Sequence, residues 1–278
     1  MSTPLHRELV TAPGATPARW LLLTHGMYGS GSNWRSIARK IVERRGDWGV
    51  ALVDLRGHGR SPHGEPPQTL DACAADLAGT IAALAAEERA VAAVAGHSFG
   101  GKVALTLRAN APASSAETWL LDSSPSAQPG AWDRPGNDIR EVWEMMRGLP
   151  ARWARRDEFI AAVVARGHRP EFAGWLGMSL APDGDGVRLI FDLDQICALI
   201  GDYYARDLWA TLDDRSRGSV RVVIAERSTT VSHNDRSRLE ALETATGRVH
   251  PHVIAGAGHW LHIDAPAAVV ELFATHLP

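Results

Sequence analysis

The chain has 278 residues, a formal net charge of −3 and a pI of about 6.5, so no global field draws it to nucleic acid or anionic lipid. With 45% apolar and 22% charged residues it is ordinary for a soluble globular protein, and disordered, collagenous and disulfide-scaffold classes are excluded. The length suits one large domain or two small ones and buries a core without staples.

The first ten residues, MSTPLHRELV, lack the basic-then-apolar pattern of a signal peptide. No apolar run reaches the ~18–20 residues of a membrane span. The expected location is the cytoplasm. There Cys73 and Cys197, far apart in sequence, are expected as unpaired thiols.

Short apolar runs at 20–24, 50–54, 91–95, 119–121, 220–225 and 252–255 predict strands. They lack period-2 alternation, which suits a parallel sheet covered on both faces. Helical patterns lie between them at 32–44, 70–86, 99–109, 237–245 and 266–276. In the second, Leu77, Ile81 and Leu84 recur at i, i+4 and i+7. Strand–helix alternation predicts an open, mostly parallel α/β sheet with helices on both faces. The alternation stops between Ser123 and about Gly218. That stretch holds Trp132, Trp143, Trp153, Trp175 and Trp209, helical patterns at 139–149 and 157–166, and a Pro-Asp-Gly-Asp-Gly turn at 182–186. Residues 1–122 and 219–278 are read as the core. Residues 123–218 are read as a helical insertion in the same domain, with no strand series of its own.

The sharpest chemical signal is Gly96-His97-Ser98-Phe99-Gly100-Gly101. It follows a predicted strand directly and opens a helix. A serine on such a turn needs small flanking residues, and the turn lifts Oγ above the sheet. It also sets the Phe99 N–H at the positive end of a helix.

A serine hydroxyl needs a base. Of twelve histidines, His259 in Gly256-Ala257-Gly258-His259-Trp260 follows the last predicted strand, at the sheet edge where open α/β proteins place their sites. His25, His58 and His97 fall in tight turns and read as structural, and the other eight as solvated or packing residues. The base needs an orienting carboxylate. Three residues beyond the strand 220–225 stands Ser228, which cannot carry the charge. Asp122, ending the preceding strand in Leu120-Leu121-Asp122-Ser123-Ser124-Pro125, is the better candidate. Glu226 and Asp235 remain open, and Asp122 could instead cap a turn.

The second oxyanion donor is expected in Thr24-His25-Gly26-Met27-Tyr28-Gly29-Ser30, with the Met27 N–H beside that of Phe99. Gly26, Tyr28, His97 and Trp260 are expected to line the pocket, with an apolar acyl end.

Taken together, the His25-Gly26 turn, Asp54-x-Arg56-Gly57-His58-Gly59-x-Ser61, the elbow at Ser98 and the His259 loop resemble the α/β-hydrolase superfamily over essentially the whole chain. The chain is most similar to the small bacterial YbfF-like acyl esterases. There too the elbow continues as Gly100-Gly101-Lys102 does here, the acid follows the strand the family counts as its sixth, and a serine stands at the Ser228 position. The resemblance implies a helical cap after that strand, the triad Ser98, Asp122 and His259, oxyanion donors on Met27 and Phe99, and no cofactor or metal. It implies hydrolysis of small-molecule esters or thioesters of short acyl groups. This chain departs at Ala225-Glu226-Arg227, where the family tends to have two glycines and an asparagine. A carboxylate-nucleophile dehalogenase or epoxide hydrolase conflicts with Ser98. A C–C hydrolase, a cofactor-free peroxidase or perhydrolase, and a non-hydrolytic binding protein are the competing readings, since fold alone does not settle a reaction.

Weaker features complete the reading. Arginines 147, 152, 155, 156, 166 and 169 could grip an anionic group, or form a solvated helix face. Asp54, Arg56 and His58 are expected to fix the turn after their strand. Asp264 is expected to cap the helix at Pro266. Lys102 is either structural or directed at acidic groups.

Overall fold

The computed structural model describes residues 2–110, 116–214 and 218–278. Along the chain come β1 (Arg7–Val10), β2 (Arg19–Thr24), α1 (Arg35–Arg44), β3 (Trp48–Val53), α2 (Leu70–Ala86), β4 (Val91–His97), α3 (Phe99–Asn110) and β5 (Glu117–Leu121). The insertion carries α4 (Asp138–Arg147), β6 (Arg152–Trp153), α5 (Arg156–Val164), α6 (Pro170–Gly177), β7 (Leu180–Asp183), β8 (Gly186–Leu189), α7 (Leu193–Ala205) and α8 (Trp209–Asp213). The chain closes with β9 (Val220–Ala225), α9 (His233–Thr246), β10 (Val249–Ile254), α10 (Leu261–Asp264) and α11 (Pro266–His276).

The main sheet runs β1-β3-β2-β4-β5-β9-β10. All neighbours are parallel except β1, which pairs antiparallel with β3 at one edge. This is the open, mostly parallel α/β sheet expected from the alternation, and it fits the α/β-hydrolase fold that the resemblance implies. Successive residues of one strand enter opposite cores, which is why the strands read as unbroken apolar runs. Leu21, Leu23, Trp119 and Val223 pack under α1 and α11, against Ile37, Ile41, Val269 and Phe273. Leu22, Val53 and Val94 face α2 and α3. Trp119 is fully buried, its ring 4.6 Å from that of Phe273.

Two expectations for the insertion need correction. It is not purely helical: β6, β8 and β7 form a small antiparallel sheet. Gly184 has φ +61 in the turn joining β7 to β8, where Asp183 pairs with Gly186. That is the positive-φ position for which a two-residue hairpin turn selects glycine. These strands have two to four residues, too short to show a period. Trp209 is not a cap residue either. It packs with Leu105, Leu120, Val222 and Leu239 on the main sheet, so the insertion rejoins the core before β9.

Cys73 and Cys197 are both free thiols. Among the described residues no helix is long and apolar enough to cross a membrane.

Candidate active site

Ser98 stands alone between β4 and α3, with φ +51. A non-glycine residue in this region stores about 1–3 kcal/mol of strain, so the surroundings must enforce it. Three glycines permit the turn. A Cβ on Gly96 would come 2.1 Å from the Gly100 carbonyl oxygen, one on Gly100 2.4 Å from the His25 carbonyl oxygen, and one on Gly101 2.5 Å from Ser123 Cβ. The Ser98 N–H donates to the Leu121 carbonyl at 3.0 Å, and the Ser98 carbonyl accepts from Ser123 Oγ at 2.7 Å. The elbow is thereby stitched to the end of β5.

There Asp122 also turns through positive φ, at +46, with its N–H on the Val223 carbonyl at 2.7 Å. Its carboxylate is fully buried. Oδ1 accepts the Ala225 N–H at 3.1 Å, and Oδ2 lies 2.6 Å from His259 Nδ1. That contact fixes Nδ1 as the protonated ring nitrogen and leaves Nε2 as the acceptor. Glu226 and Asp235 make no such contact. Glu226 accepts the Gly256 N–H at 2.7 Å, and Asp235 accepts the hydroxyls of Ser124 and Ser126 at 2.8 and 2.6 Å.

The His259 loop is held from three sides. Glu226 takes the Gly256 N–H, and Asp264 Oδ2 accepts the Gly258 N–H at 3.0 Å. His97 Nε2 donates to the His259 carbonyl at 2.8 Å, with the two rings 4.7 Å apart. Burial pulls His97 well below the ordinary imidazole value, so its ring is neutral. The expected Asp264 cap is therefore a correction. The N-cap of α11 is Ala265 without a side-chain bond, because the Asp264 carboxylate is taken by the loop.

His25 and His58 are buried and neutral. His25 Nε2 accepts the Leu55 N–H at 3.0 Å, and burial lowers its pKa. Burial lowers His58 to about 3, with Nδ1 donating to the Arg56 carbonyl at 2.9 Å. Asp54 takes the N–H groups of Gly31 and Arg60, and Arg56 pairs with buried Asp76 at 2.6 Å. The Met27 and Phe99 N–H groups have no acceptor among the described residues, so both stay available. A Cβ on Gly26 would sit 3.3 Å from Ser98 Cβ, which shows how closely this loop passes the hydroxyl.

A cavity of about 380 Å³ opens at Ser98, lined by Gly26, Met27, Tyr28, His97, His259 and Trp260, with Val142, Phe172 and Trp175 from the insertion. Of the six arginines between 147 and 169, Arg169 alone lines it. Arg147 stacks over Trp143, Arg152 pairs with Asp185, Arg155 with Glu158, and Arg166 binds carbonyls. Arg156 lines a different cavity, so among the described residues the six do not gather at one site.

Two contributors, Thr230 and Tyr203, escaped the sequence reading, and Lys102 takes the structural of its two readings. Thr230 Oγ1 lies 3.1 Å from His259 Nδ1, and Ser228 Oγ reaches Thr230 Oγ1 at 3.1 Å. The serine beyond β9 thus sits one hydroxyl away from the imidazole. Its signal was the run Ser228-Thr229-Thr230. Tyr203 comes from α7. Burial pushes its phenol up, an effect partly offset by hydrogen bonding to the Ser98 side chain. No sequence signal marks it. Lys102 is buried, and Nζ donates to the carbonyls of Ser126 at 2.7 Å and Tyr203 at 2.8 Å. Burial lowers this ammonium to about 8. Among the described residues no cluster of three or more His, Cys, Asp or Glu could hold a metal ion.

A profile of the alpha/beta hydrolase family matches residues 21–272. The chain belongs to this family. It is 26% identical over 277 residues to the sn-1-specific diacylglycerol lipase ABHD11 of Mus musculus, covering 99% of this chain and 85% of the lipase. It is 26% identical over 260 residues to esterase YbfF of Escherichia coli, covering 92% of each. Among solved structures, a marine microorganism esterase superposes with a TM-score of 0.79 at 22% identity, over 97% of this chain and 98% of that one. At that identity the superposition speaks for the fold.

Proposed function

We propose that this α/β hydrolase cleaves carboxylic esters or thioesters of short acyl groups through an acyl-enzyme on Ser98. The observation that carries the reading is Ser98 at a strained elbow, opening into one cavity with a His259 whose Nδ1 meets buried Asp122 at 2.6 Å. Ser98 Oγ attacks the acyl carbon while His259 Nε2 takes its proton. The N–H groups of Met27 and Phe99 receive the oxyanion, each worth about 2.7–4 kcal/mol in the transition state. Collapse breaks the bond to the leaving oxygen or sulfur, which leaves with the proton from Nε2. Water, deprotonated by the same nitrogen, then releases the acid and restores Ser98.

The short-acyl part rests on volume. The cavity holds about 380 Å³, near the lower end of the ~300–1,000 Å³ of ligand sites, and Val142, Phe172 and Trp175 contribute apolar wall to it. The family relatives carry the names esterase and diacylglycerol lipase, so acyl length needs its own test. A series of p-nitrophenyl esters should peak at short chains, and a maximum at fatty-acid length overturns this part. Ser98→Ala should cost about 10⁴–10⁶ in kcat with folding intact. Retention of a substantial share of activity overturns the mechanism.

A further inference from the structure

Ser98 and His259 border a second cavity, of about 800 Å³, whose chemistry differs from the first. The first is walled by Met27, Val142, Phe172, Trp175 and Trp260, with Glu141, His168 and Arg169 also on its lining. The second is walled by Gln128, Arg134, Thr229, Asn234 and Arg227, with Tyr203 and Tyr204 at the insertion side. An apolar acyl chain belongs in the first. The leaving atom must face His259, which returns the proton to it, and the loops after β9 that flank His259 wall the second.

We propose that the second cavity receives the leaving group and selects an alcohol or thiol carrying a phosphate or carboxylate, recognised by Arg134 and Arg227. This rests on the ester-hydrolase reading above. Most neighbouring arginines are already committed. Arg140 pairs with Asp133 and Glu144, Arg206 with Asp71, and Arg238 with Asp213, while Arg236 is spent on the carbonyls of Ala225, Val231 and Ser228. Arg134 and Arg227 have no carboxylate partner among the described residues. Arg227 donates to the Gly256 carbonyl, and Arg134 reaches the Pro129 carbonyl at 3.5 Å. Each guanidinium has five N–H donors in a planar fork suited to carboxylate or phosphate, so most remain available.

The cavity also carries two carboxylates, Asp138 and Asp235, but they do not occupy these guanidinium donors. Both Asp235 oxygens are taken by Ser124, Ser126 and the Ser232 N–H. Asp138 is exposed in the first turn of α4, so the oxygens of one carboxylate stand free against the uncommitted N–H donors of two guanidinium groups. Arg227 also lies in Ala225-Glu226-Arg227, the stretch where this chain departs from the pattern of the family it resembles.

The test uses the full chain and matched butyrate esters of 4-hydroxybenzoate, which is anionic, and its methyl ester, which is neutral. S-butyryl-pantetheine 4′-phosphate against S-butyryl-pantetheine separates phosphate from carboxylate recognition. The readout is the ratio of kcat/KM, charged over neutral. Two exposed guanidinium contacts worth about 2–5-fold each predict a roughly tenfold fall of that ratio in the double variant Arg134→Gln, Arg227→Gln. The ratio should also fall as salt rises. A ratio indifferent to the double variant in both pairs overturns the proposal. If wild type hydrolyses neither ester, the hydrolase reading fails. Calorimetric binding of 4-butoxybenzoate against butyl phenyl ether then reads the same selectivity without turnover, and equal affinities overturn the proposal.

Discussion

Replacing Asp122 by Asn probes the carboxylate without changing its shape. In wild type Oδ1 accepts the Ala225 N–H at 3.1 Å and Oδ2 meets His259 Nδ1 at 2.6 Å. An asparagine must keep its carbonyl toward Ala225, since turning its NH₂ there would set donor against donor in a fully buried site. The NH₂ therefore faces Nδ1. It donates to that nitrogen, moves the proton to Nε2 and leaves the imidazole unable to accept from Ser98. In a serine protease triad the same change keeps geometry intact and costs about 10⁴ in kcat, close to 5.4 kcal/mol at about 1.36 kcal/mol per tenfold. The same loss is expected here in kcat for p-nitrophenyl butyrate, with little change in KM or melting temperature. Glu226→Gln and Asp235→Asn, which touch Gly256 and the serine hydroxyls instead, should cost far less. If Asp122→Asn keeps a tenth of wild-type kcat while either control loses more, Asp122 is not the orienting acid.

Two further outcomes follow from the geometry. Gly26→Ala places a Cβ 3.0 Å from His97 Nδ1 and 3.3 Å from Ser98 Cβ. Displacement of the Met27 N–H should lower kcat by up to about 10²–10³, and an unaltered kcat would remove Met27 from the oxyanion site. His58 is depressed to about 3, so between its ordinary value near 6.5 and about 3 the unfolded chain binds the extra proton. Its contribution is whole above pH 6.5 and is lost as pH falls toward 3. In His58→Gln the slope of urea-unfolding free energy against pH, between pH 6 and 4, should be shallower by about 1.4 kcal/mol per pH unit; an unchanged slope refutes the buried neutral ring.

The strands were legible because burial on both faces turns β2, β3, β4 and β9 into short apolar runs. By contrast β1, Arg-Glu-Leu-Val at the sheet edge, has one buried residue of four and carries no such run. It pairs with β3 because that edge is open, a tertiary fact with no local signature. Ser98 and His259 stood out because close backbone approach demands glycines around them. The Asp264 reading failed for a related reason. An acid before Ala-Pro looks like a cap, yet the Gly258 N–H, brought near only by the folded loop, competes for the carboxylate. Thr230 and Tyr203 reach the site through contacts 29 and 105 residues away, which no periodicity encodes.

The Lys102 ammonium meets one side chain of the insertion, lying 4.6 Å from the centre of the Tyr203 ring. Its two acceptors are main-chain oxygens, one near the insertion's entry at Ser126 and one near the end of α7 at Tyr203. Every residue type supplies such an oxygen. The attachment is therefore indifferent to what is written between them. A foreign roof spliced in from 127 to 202 needs only to return its backbone to the same spot to be fastened by the same cation. Ser98 and the helix behind it form a fixed floor, and the wall that the insertion adds to the cavity is, in engineering terms, a replaceable fitting.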